Sequence, residues 1–145
     1  MIVIDANVIV SGLRSRNGAS HLVLRGILTG HISFAASPAV IMEYEDVLKR
    51  PEILGPKPWI TAEGIDRILD AICARAIPSL PWFRFRPFLN DPKDDLYVEC
   101  ALAAGAQTIV THDRHFRHPA VPAFGLTAIN PAELLSTSIG ERNPK

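Results

Sequence analysis

The feature that most constrains the fold is a set of short apolar segments that alternate with helical patterns along the chain. Ile2 to Ile4 is a β-branched run, and "AQTIVTHD" contains a second run around Ile109. Such runs are typical of strands that are buried on both faces of a parallel sheet. Helical patterns lie between them, so the chain is predicted to form right-handed βαβ units. We therefore expect an α/β fold with helices on both sides of a central parallel sheet of about five strands.

Periodicity and capping residues place the predicted elements. Helices are predicted over residues 19–28, 37–48, 61–76 and 92–104 and from Asn130. Further strands are predicted over residues 32–35 and 126–129. The helical residues assigned to the core are Leu22, Val23, Ile27, Val40, Ile41, Tyr44, Val47, Leu48, Ile65, Ile68, Leu69, Ile72 and Cys73. One domain is expected over residues 1–135, followed by a loose tail over residues 136–145.

Length and composition narrow the class of protein. The chain has 145 residues, of which 48% are hydrophobic, so one domain with a substantial core is predicted. Its 15 basic and 15 acidic residues balance, so a nucleic-acid partner would have to bind a local basic patch. Cys73 and Cys100 are expected to be small buried residues in a reducing compartment. No basic leader and no run of roughly 18 apolar residues is present, so we expect a cytoplasmic protein without membrane contact.

Two of the predicted strands lead to an aspartate. Asp5 follows the first strand directly, and Asp113 follows the "TIVTH" strand. The carboxyl ends of parallel strands share one edge of the sheet, where α/β proteins bind ligands. Asn7 and Thr111 each lie two residues from one of these aspartates and project to the same side if the chain stays extended. The burial of an isolated carboxylate costs much free energy, so an aspartate directly after a buried strand indicates a functional site at Asp5.

Two helical acids can join this pair. Glu43 lies about 100 degrees from the centre of the apolar stripe of its helix, which is the edge of the buried face. Glu45 is a nearby alternative to Glu43. Asp94 shares a helix face with Val98 and Ala101, so it is expected to point inward.

Four converging carboxylates repel one another unless a cation lies between them. Oxygen ligands without a His or Cys cluster favour Mg²⁺ or Mn²⁺ over Zn²⁺. Such a site suits phosphodiester hydrolysis, because the metal activates a water and stabilises charge on the attacking and leaving oxygens. The pattern therefore predicts a metal-dependent hydrolase.

Four segments carry a resemblance to a known family. "IDANVIVSGL", "SPAVIMEYEDVL", "DPKDDLYVECALAAGAQTIVTHDRHF" and "INPAELL" resemble the PIN domain, in particular the bacterial group of VapC-like toxins of toxin–antitoxin pairs. The resemblance extends from about Ile2 to Leu135. It implies a three-layer α/β/α fold and Mg²⁺- or Mn²⁺-dependent endoribonuclease activity. The acidic quartet that it implies is Asp5, Glu43, Asp94 and Asp113.

The resemblance also implies supporting residues and partners. Asn7 and Thr111 would hold or orient the acidic shell around the metal. The substrate would be RNA, the protein would form homodimers, and a small antitoxin protein would block the site.

The third acid stays open between neighbouring aspartates. The segment from residue 91 also has the pattern of a helix start. Asp91 would be the N-cap, Pro92 would lie in the first turn, and Asp94 would be an acid that the helix dipole favours. We assign Asp91 mainly to capping and Asp94 to the metal, with Asp95 as the main alternative. Asp113 either binds the metal, directly or through water, or only caps the turn that follows it.

Other residues are candidates for RNA or metal contacts. Four arginines follow the strand ends of the site and are candidate phosphate contacts: Arg14, Arg16, Arg114 and Arg117. "WFRFRPF" has the composition of a single-stranded nucleic-acid platform, but alternating burial is favoured, and an interface for a dimer or an antitoxin is an equal alternative. His112, His115 and His118 are spaced by three, but they straddle a strand end and a loop, so we leave them out of the metal site.

Two other classes of protein fit the sequence less well. Aspartate-nucleophile phosphatases need a second acid two residues after the first, where this chain has Asn7. A Rossmann nucleotide binder needs a glycine-rich turn after the first strand, and "DANVIV" has no glycine. The remaining alternative is a PIN-fold protein that binds RNA or a partner without cutting, because all four acids can be present in either case.

Overall fold

The computed structural model describes residues 1–56, 59–81, 92–113 and 120–142, without the side chains of residues 92–94, 120, 123 and 138–142. The strands in these ranges are β1 (Ile2–Ile4), β2 (Phe34–Ala36), β3 (Ile77–Pro78), β4 (Thr108–Val110) and β5 (Thr127–Ile129). The helices are α1 (Ala6–Arg14), α2 (Ala19–Leu28), α3 (Pro38–Leu48), α4 (Ala62–Arg75), α5 (Pro92–Ala104), α6 (Ala120–Ala123) and α7 (Pro131–Arg142).

The described strands form one sheet in the order β3-β2-β1-β4-β5, with every neighbouring pair parallel. β1 is therefore the central strand, and its residues and those of β2 are all buried. Full burial of a strand requires cover on both faces of the sheet, which the helices provide. The predicted α/β/α architecture with a five-stranded parallel sheet is confirmed.

The helix starts follow from their capping residues. Ser37 caps α3, since its hydroxyl oxygen accepts a hydrogen bond from the backbone N–H of Val40 at 3.1 Å, and Pro38 occupies the first turn. Thr61 caps α4 in the same way through the N–H of Gly64. Gly30 lies just beyond α2 with a φ of 82°, a conformation that favours glycine. These three signals confirm the helix boundaries predicted at their positions.

Several predictions for the elements are wrong. The chain does not stay extended after Asp5, because α1 begins at Ala6. Leu22 is 52% exposed, and Leu24 is buried on α2 instead. Cys73 is exposed on α4, whereas Cys100 is buried as expected, and neither cysteine is in a disulfide.

Other boundaries differ by smaller amounts. β2 begins at Phe34 and not at residue 32, and β5 begins at Thr127 and not at residue 126. The last helix, α7, continues to Arg142, so the expected domain end at residue 135 lies inside a helix. None of the helices in the described ranges is long and apolar enough to span a membrane.

Candidate functional site

Two strand ends lie side by side at the carboxyl edge of the sheet. Ile4, the last residue of β1, pairs with Val110, the last residue of β4. The backbone N–H of Asp5 donates to the carbonyl of Val110 at 2.9 Å, and the N–H of Thr111 donates to Ile129 on β5 at 2.9 Å. The sheet hydrogen bonding therefore continues for one residue beyond each strand and holds Asp5 next to Thr111.

Asp5 is buried, with 6% of its surface exposed, and both of its carboxylate oxygens accept hydrogen bonds. Oδ1 accepts from the backbone N–H of Asn7 at 3.1 Å, so Asp5 is the N-cap of α1. Oδ2 accepts from the hydroxyl of Thr111 at 2.8 Å. Each carboxylate oxygen can accept a further contact. The side chain is thus fixed in orientation and can still bind a cation.

Asn7 and Thr111 connect the two strand ends through their side chains. The hydroxyl of Thr111 accepts from the backbone N–H of Asp113 at 2.9 Å and lies 3.4 Å from the amide nitrogen of Asn7, which donates to it. The amide oxygen of Asn7 accepts from the backbone N–H of His112 at 3.3 Å. Asn7 was predicted to lie beside Asp5 because the chain was expected to stay extended. It does lie in this network, but it reaches Thr111 from the first turn of α1.

Glu43 and Asp113 act electrostatically on Asp5. Both are half-buried, and we refer to Asp5, Glu43 and Asp113 as the acid centre. Burial is the main factor that raises the pKa of Asp5, while the hydrogen bonds from Thr111 and from the backbone of Asn7 lower it. The negative charges of Asp113 and Glu43 raise it further. A cation near these groups would remove both penalties on the charged form of Asp5.

The other acids of α3 face away from the acid centre. Glu45 lies 3.8 Å from Lys49, and Asp46 lies 2.9 Å from Arg50; both acids are largely exposed. Lys49 also lies 3.3 Å from Asp66 on α4. Among the acids of this helix, only Glu43 is oriented toward Asp5, which favours it over the alternative Glu45.

α5 brings further acids into the interior. Asp95 is 6% exposed and Glu99 is 9% exposed, although acidic residues are rarely buried unless they are paired. Asp91 and the side chain of Asp94 lie outside the described residues. Among the residues that the structure describes, no three His, Cys, Asp or Glu side chains are close enough together to form a metal site by themselves.

A cavity of about 570 Å³ opens beside Asp5 and Glu43. We call it the acid cavity; it is lined by Asp5, Ala6, Asn7, Val10, Ser11, Arg14, Ser15, Glu43, Val47, Arg50, Ile53 and Tyr97. Arg14 is one of the four predicted phosphate contacts and lies in it. Arg16 does not line it, and its guanidinium instead stacks on Trp59. Arg114 and Arg117 lie outside the described residues.

Three residues of this region are absent from the predicted site. Arg50 lies in the turn directly after α3, which ends at Leu48, so the periodicity of that helix does not predict its place in the cavity. Tyr97 lines the acid cavity, and its phenol oxygen accepts from the backbone N–H of Ala6 at 3.1 Å. The hydroxyl of Tyr44 donates to the carbonyl of Ile4. The two tyrosines hold the backbone on either side of Asp5, but phenols buried among apolar residues have no distinctive sequence signal.

His112 is the one member of the histidine triplet that the structure describes. The ring Nε2 of His112 forms a 2.8 Å hydrogen bond with the hydroxyl of Ser20 on α2. His115, His118 and the aromatic segment "WFRFRPF" lie outside the described residues. The one described histidine of the triplet therefore contacts a helix and not a metal-ligand cluster.

Comparison with known proteins gives one match. No similar protein was found among curated proteins or solved structures. A family model described as "PIN domain" matches residues 1–115, which include β1 to β4 and the acid centre. PIN domains are generally nucleases and commonly depend on a divalent metal. With most of its length matched and with a five-stranded parallel sheet between helices, the chain belongs to the PIN domain family.

Proposed function

We propose that this protein is an endoribonuclease that hydrolyses phosphodiester bonds with the help of Mg²⁺ or Mn²⁺. The observation that carries the proposal is Asp5, a buried carboxylate held by two hydrogen bonds at the edge of a cavity that it shares with Glu43. The place of Asp5 beside Glu43 has a cost in stability, because burial and the repulsion between the two acids both disfavour the charge of Asp5. A site that binds a cation explains the arrangement.

The donor chemistry fits a hard divalent cation. Asp5, Glu43 and Asp113 supply carboxylate oxygens, and Asn7 and Thr111 supply neutral oxygens, a set that suits Mg²⁺ or Mn²⁺. The third direct ligand would come from the first turn of α5, as Asp94 or Asp95. Asp95 is buried in the described structure and the side chain of Asp94 lies outside the described residues, so both stay candidates. When bound, the ion would supply activation of a water nucleophile and stabilisation of negative charge on the phosphate.

The protein's own residues would orient Asp5, accept a proton from the water and bind the RNA backbone. Thr111 and the backbone of Asn7 would keep the lone pairs of Asp5 aimed at the cation. Glu43, half-buried at the cavity wall, would accept a proton from the attacking water. Arg14 would offset the negative charge of the RNA backbone that enters the cavity.

Cleavage of a mixed pool of structured and unstructured RNA tests this function. We expect cutting by the purified protein in Mn²⁺ or Mg²⁺, none in EDTA, and a loss of at least a hundredfold in Asp5→Asn and Glu43→Gln. Asp46→Asn is the matched control, because this exposed acid lies on the same helix as Glu43 and outside the cavity. Full activity in Asp5→Asn would disprove the role of the acid centre.

The third acid is tested by a pair of adjacent variants. If Asp95 is the ligand, Asp95→Asn should lose both activity and Mn²⁺ affinity, while Asp94→Asn should retain most of each. The reverse result would assign the ligand to Asp94. Isothermal titration with Mn²⁺ measures metal affinity independently of any substrate, so a wild-type protein that neither binds Mn²⁺ nor cuts RNA would favour the alternative of a PIN protein with a recognition role.

The toxin role, the small antitoxin and the homodimer remain proposals whose support is the resemblance of the motifs. A toxin should arrest growth when it is expressed alone, and Asp5→Asn should not. Normal growth at matched levels of an active enzyme would argue against the toxin role and leave the nuclease proposal intact.

A further inference from the structure

α1 and the segment that begins with α3 each contribute an arginine to the acid cavity. Both helices start directly after parallel strands, so both begin at the carboxyl edge of the sheet and run away from it. Asn7, Ser11 and Arg14 line the cavity at i, i+4 and i+7 on α1, so Arg14 lies about 10 Å from Asn7 along the helix axis. From α3 the lining residues are Glu43 and Val47, and Arg50 follows in the turn just after the helix ends at Leu48. Both arginines therefore lie at or just beyond the C-terminal end of a helix that starts at the sheet.

The two arginines are available to an anionic ligand. Arg14 is exposed and forms no ion pair with any residue that the structure describes. Arg50 pairs with Asp46 at 2.9 Å, but both side chains are about half exposed or more. Exposed ion pairs of this kind contribute little to the stability of the protein, so either partner can readily pair with another charged group. A phosphate can therefore displace Asp46 from Arg50 at low cost, whereas a phosphate placed directly beside Asp5 and Glu43 would be repelled without a cation.

An aromatic surface lies next to the arginine end of the cavity. The indole N–H of Trp59 donates to the carbonyl of Leu13, the residue before Arg14, at 2.6 Å. The guanidinium of Arg16 lies 4.3 Å from the centre of the Trp59 ring. Trp59 is nevertheless 45% exposed. Two contacts thus hold a large flat side chain at the surface, where it can stack with another planar group.

We propose that Arg14, Arg50 and Trp59 form a track for single-stranded RNA, which leads away from the acid centre for two helical turns. The proposal rests on the nuclease function proposed above and specifies how its substrate is held. The arginines bind backbone phosphates on one side of the scissile bond, and a base stacks on Trp59. Single-stranded RNA fits because its bases are free to stack on a protein side chain, whereas those of a duplex stack on each other.

The salt dependence of RNA binding tests the arginines. Binding of a labelled eight-nucleotide RNA is measured in EDTA, where no cutting occurs, over a range of salt concentrations. Each of Arg14→Gln and Arg50→Gln should lower the slope of log affinity against log salt by about 0.7, and the double variant by about 1.4. Arg25→Gln is the control for Arg14, because both arginines lie in the last turn of a helix and only Arg14 lines the cavity. Asp46→Asn is the control for Arg50, since it breaks the same ion pair and keeps the guanidinium.

Stacking on Trp59 is tested by base-dependent binding. Trp59→Leu should weaken binding of the RNA by about tenfold without a change in salt slope, and it should not affect an abasic polymer of the same length. Trp59→Phe should retain most of the affinity. The chain has two tryptophans, so in a Trp82→Phe background RNA should quench the fluorescence of Trp59 directly. This measurement leaves Trp59 intact and does not depend on the folding of the leucine variant.

The outcomes separate this proposal from the nuclease function. Unchanged salt slopes in both arginine variants, or no quenching of Trp59 by bound RNA, would overturn the track even if the wild-type protein cuts RNA. A failure of the wild-type protein to bind RNA in EDTA would overturn it as well. If no metal supports cutting but the slopes fall as expected, the nuclease proposal fails and the track stands. In an active enzyme, the arginine variants should raise KM and leave kcat nearly unchanged.

Discussion

At the scale of single residues, Asp5 has two roles that conflict in energy. It caps α1 through its Oδ1 atom, which stabilises the fold, and it is buried near two other acids, which disfavours its charge. The cation of the proposed nuclease site would need the charged form of Asp5 and would therefore offset this cost. The sequence could reveal Asp5, because a carboxylate directly after a buried strand is unusual. It could not reveal the capping role, which depends on the start of α1.

Asp5→Asn is expected to stabilise the metal-free protein at neutral pH. Burial raises the pKa of Asp5 in the folded protein, so folding holds its proton more tightly than the unfolded chain does. The stability of the wild-type protein therefore falls as pH rises from the pKa of Asp5 in the unfolded chain through its higher pKa in the folded protein. Asn has no such dependence and is an equally good N-cap. Unfolding by urea in EDTA between about pH 3 and pH 8 should show an advantage for the variant that grows with pH.

Asp46→Asn should show no comparable gain, because Asp46 is exposed and lies in an ion pair. A metal-free Asp5→Asn protein that is less stable than the wild type at neutral pH would contradict the assigned electrostatics.

Thr111 is expected to control the proton affinity of Asp5. Its hydroxyl donates to Asp5 and accepts from the backbone of Asp113, and the first of these bonds lowers the pKa of Asp5. Thr111→Val should cost about 1–3 kcal/mol of stability, because it leaves buried polar groups unpaired. It should also shift the acid limb of the activity profile to higher pH. Thr111→Ser, which keeps the hydroxyl, should restore the profile; a valine variant with the wild-type profile would refute this role.

At the scale of elements, the success of prediction depended on whether a helix had a cap or an amphipathic pattern that could be recognised. α3 has Ser37 and Pro38 at its start, and the sequence placed it correctly. α1 was missed because "ANVIVSGLR" is rich in β-branched residues and is buried on most sides. Leu22 was misplaced because Leu22 and Leu24 both fit an apolar face, and only the packing of α2 selects Leu24.

The close packing of α1 against α2 gives a prediction at this scale. A Cβ atom at Gly12 would lie 2.9 Å from the backbone carbonyl oxygen of Ser20, which cannot move without shifting α2. Gly12→Ala should therefore destabilise the protein by about 1–3 kcal/mol, even though alanine favours helices. Gly26→Ala is the comparison, because its Cβ would meet only the side chain of Ile32, which can rotate. Chemical unfolding of both variants measures the difference; a stabilised Gly12→Ala protein would show that α1 and α2 are not in close contact.

At the scale of the whole molecule, the order of strands could be anticipated only in part. The alternation of strands and helices predicted a parallel sheet, and the carboxyl-edge rule placed Asp5 and Thr111 at the same edge. The pairing of β1 with β4 is a long-range contact that no local pattern specifies. Of the two arginines that line the acid cavity, Arg14 was predicted as a phosphate contact, whereas Arg50 was missed because its place depends on how the end of α3 packs near α1.

Metal binding should be visible in the stability of the whole domain. A cation that binds only the folded protein raises its stability by about 2.7 kcal/mol at a hundredfold excess over Kd. We expect Mn²⁺ to raise the Tm of the wild-type protein and of Asp46→Asn, and EDTA to reverse the effect. Asp5→Asn should show little or no shift. An equal shift in Asp5→Asn would place the cation at another site.

The hydrogen bonds that join the two strand ends also determine when the site can exist. Asn7 and Asp5 contact Thr111 across more than 100 positions of sequence. While a ribosome makes the chain, the aspartate that follows β1 emerges early and has neither its hydroxyl partner nor a neighbouring strand until β4 has left the exit tunnel. Under the nuclease function proposed above, a nascent chain should therefore not cleave nearby RNA until most of the domain has been synthesised.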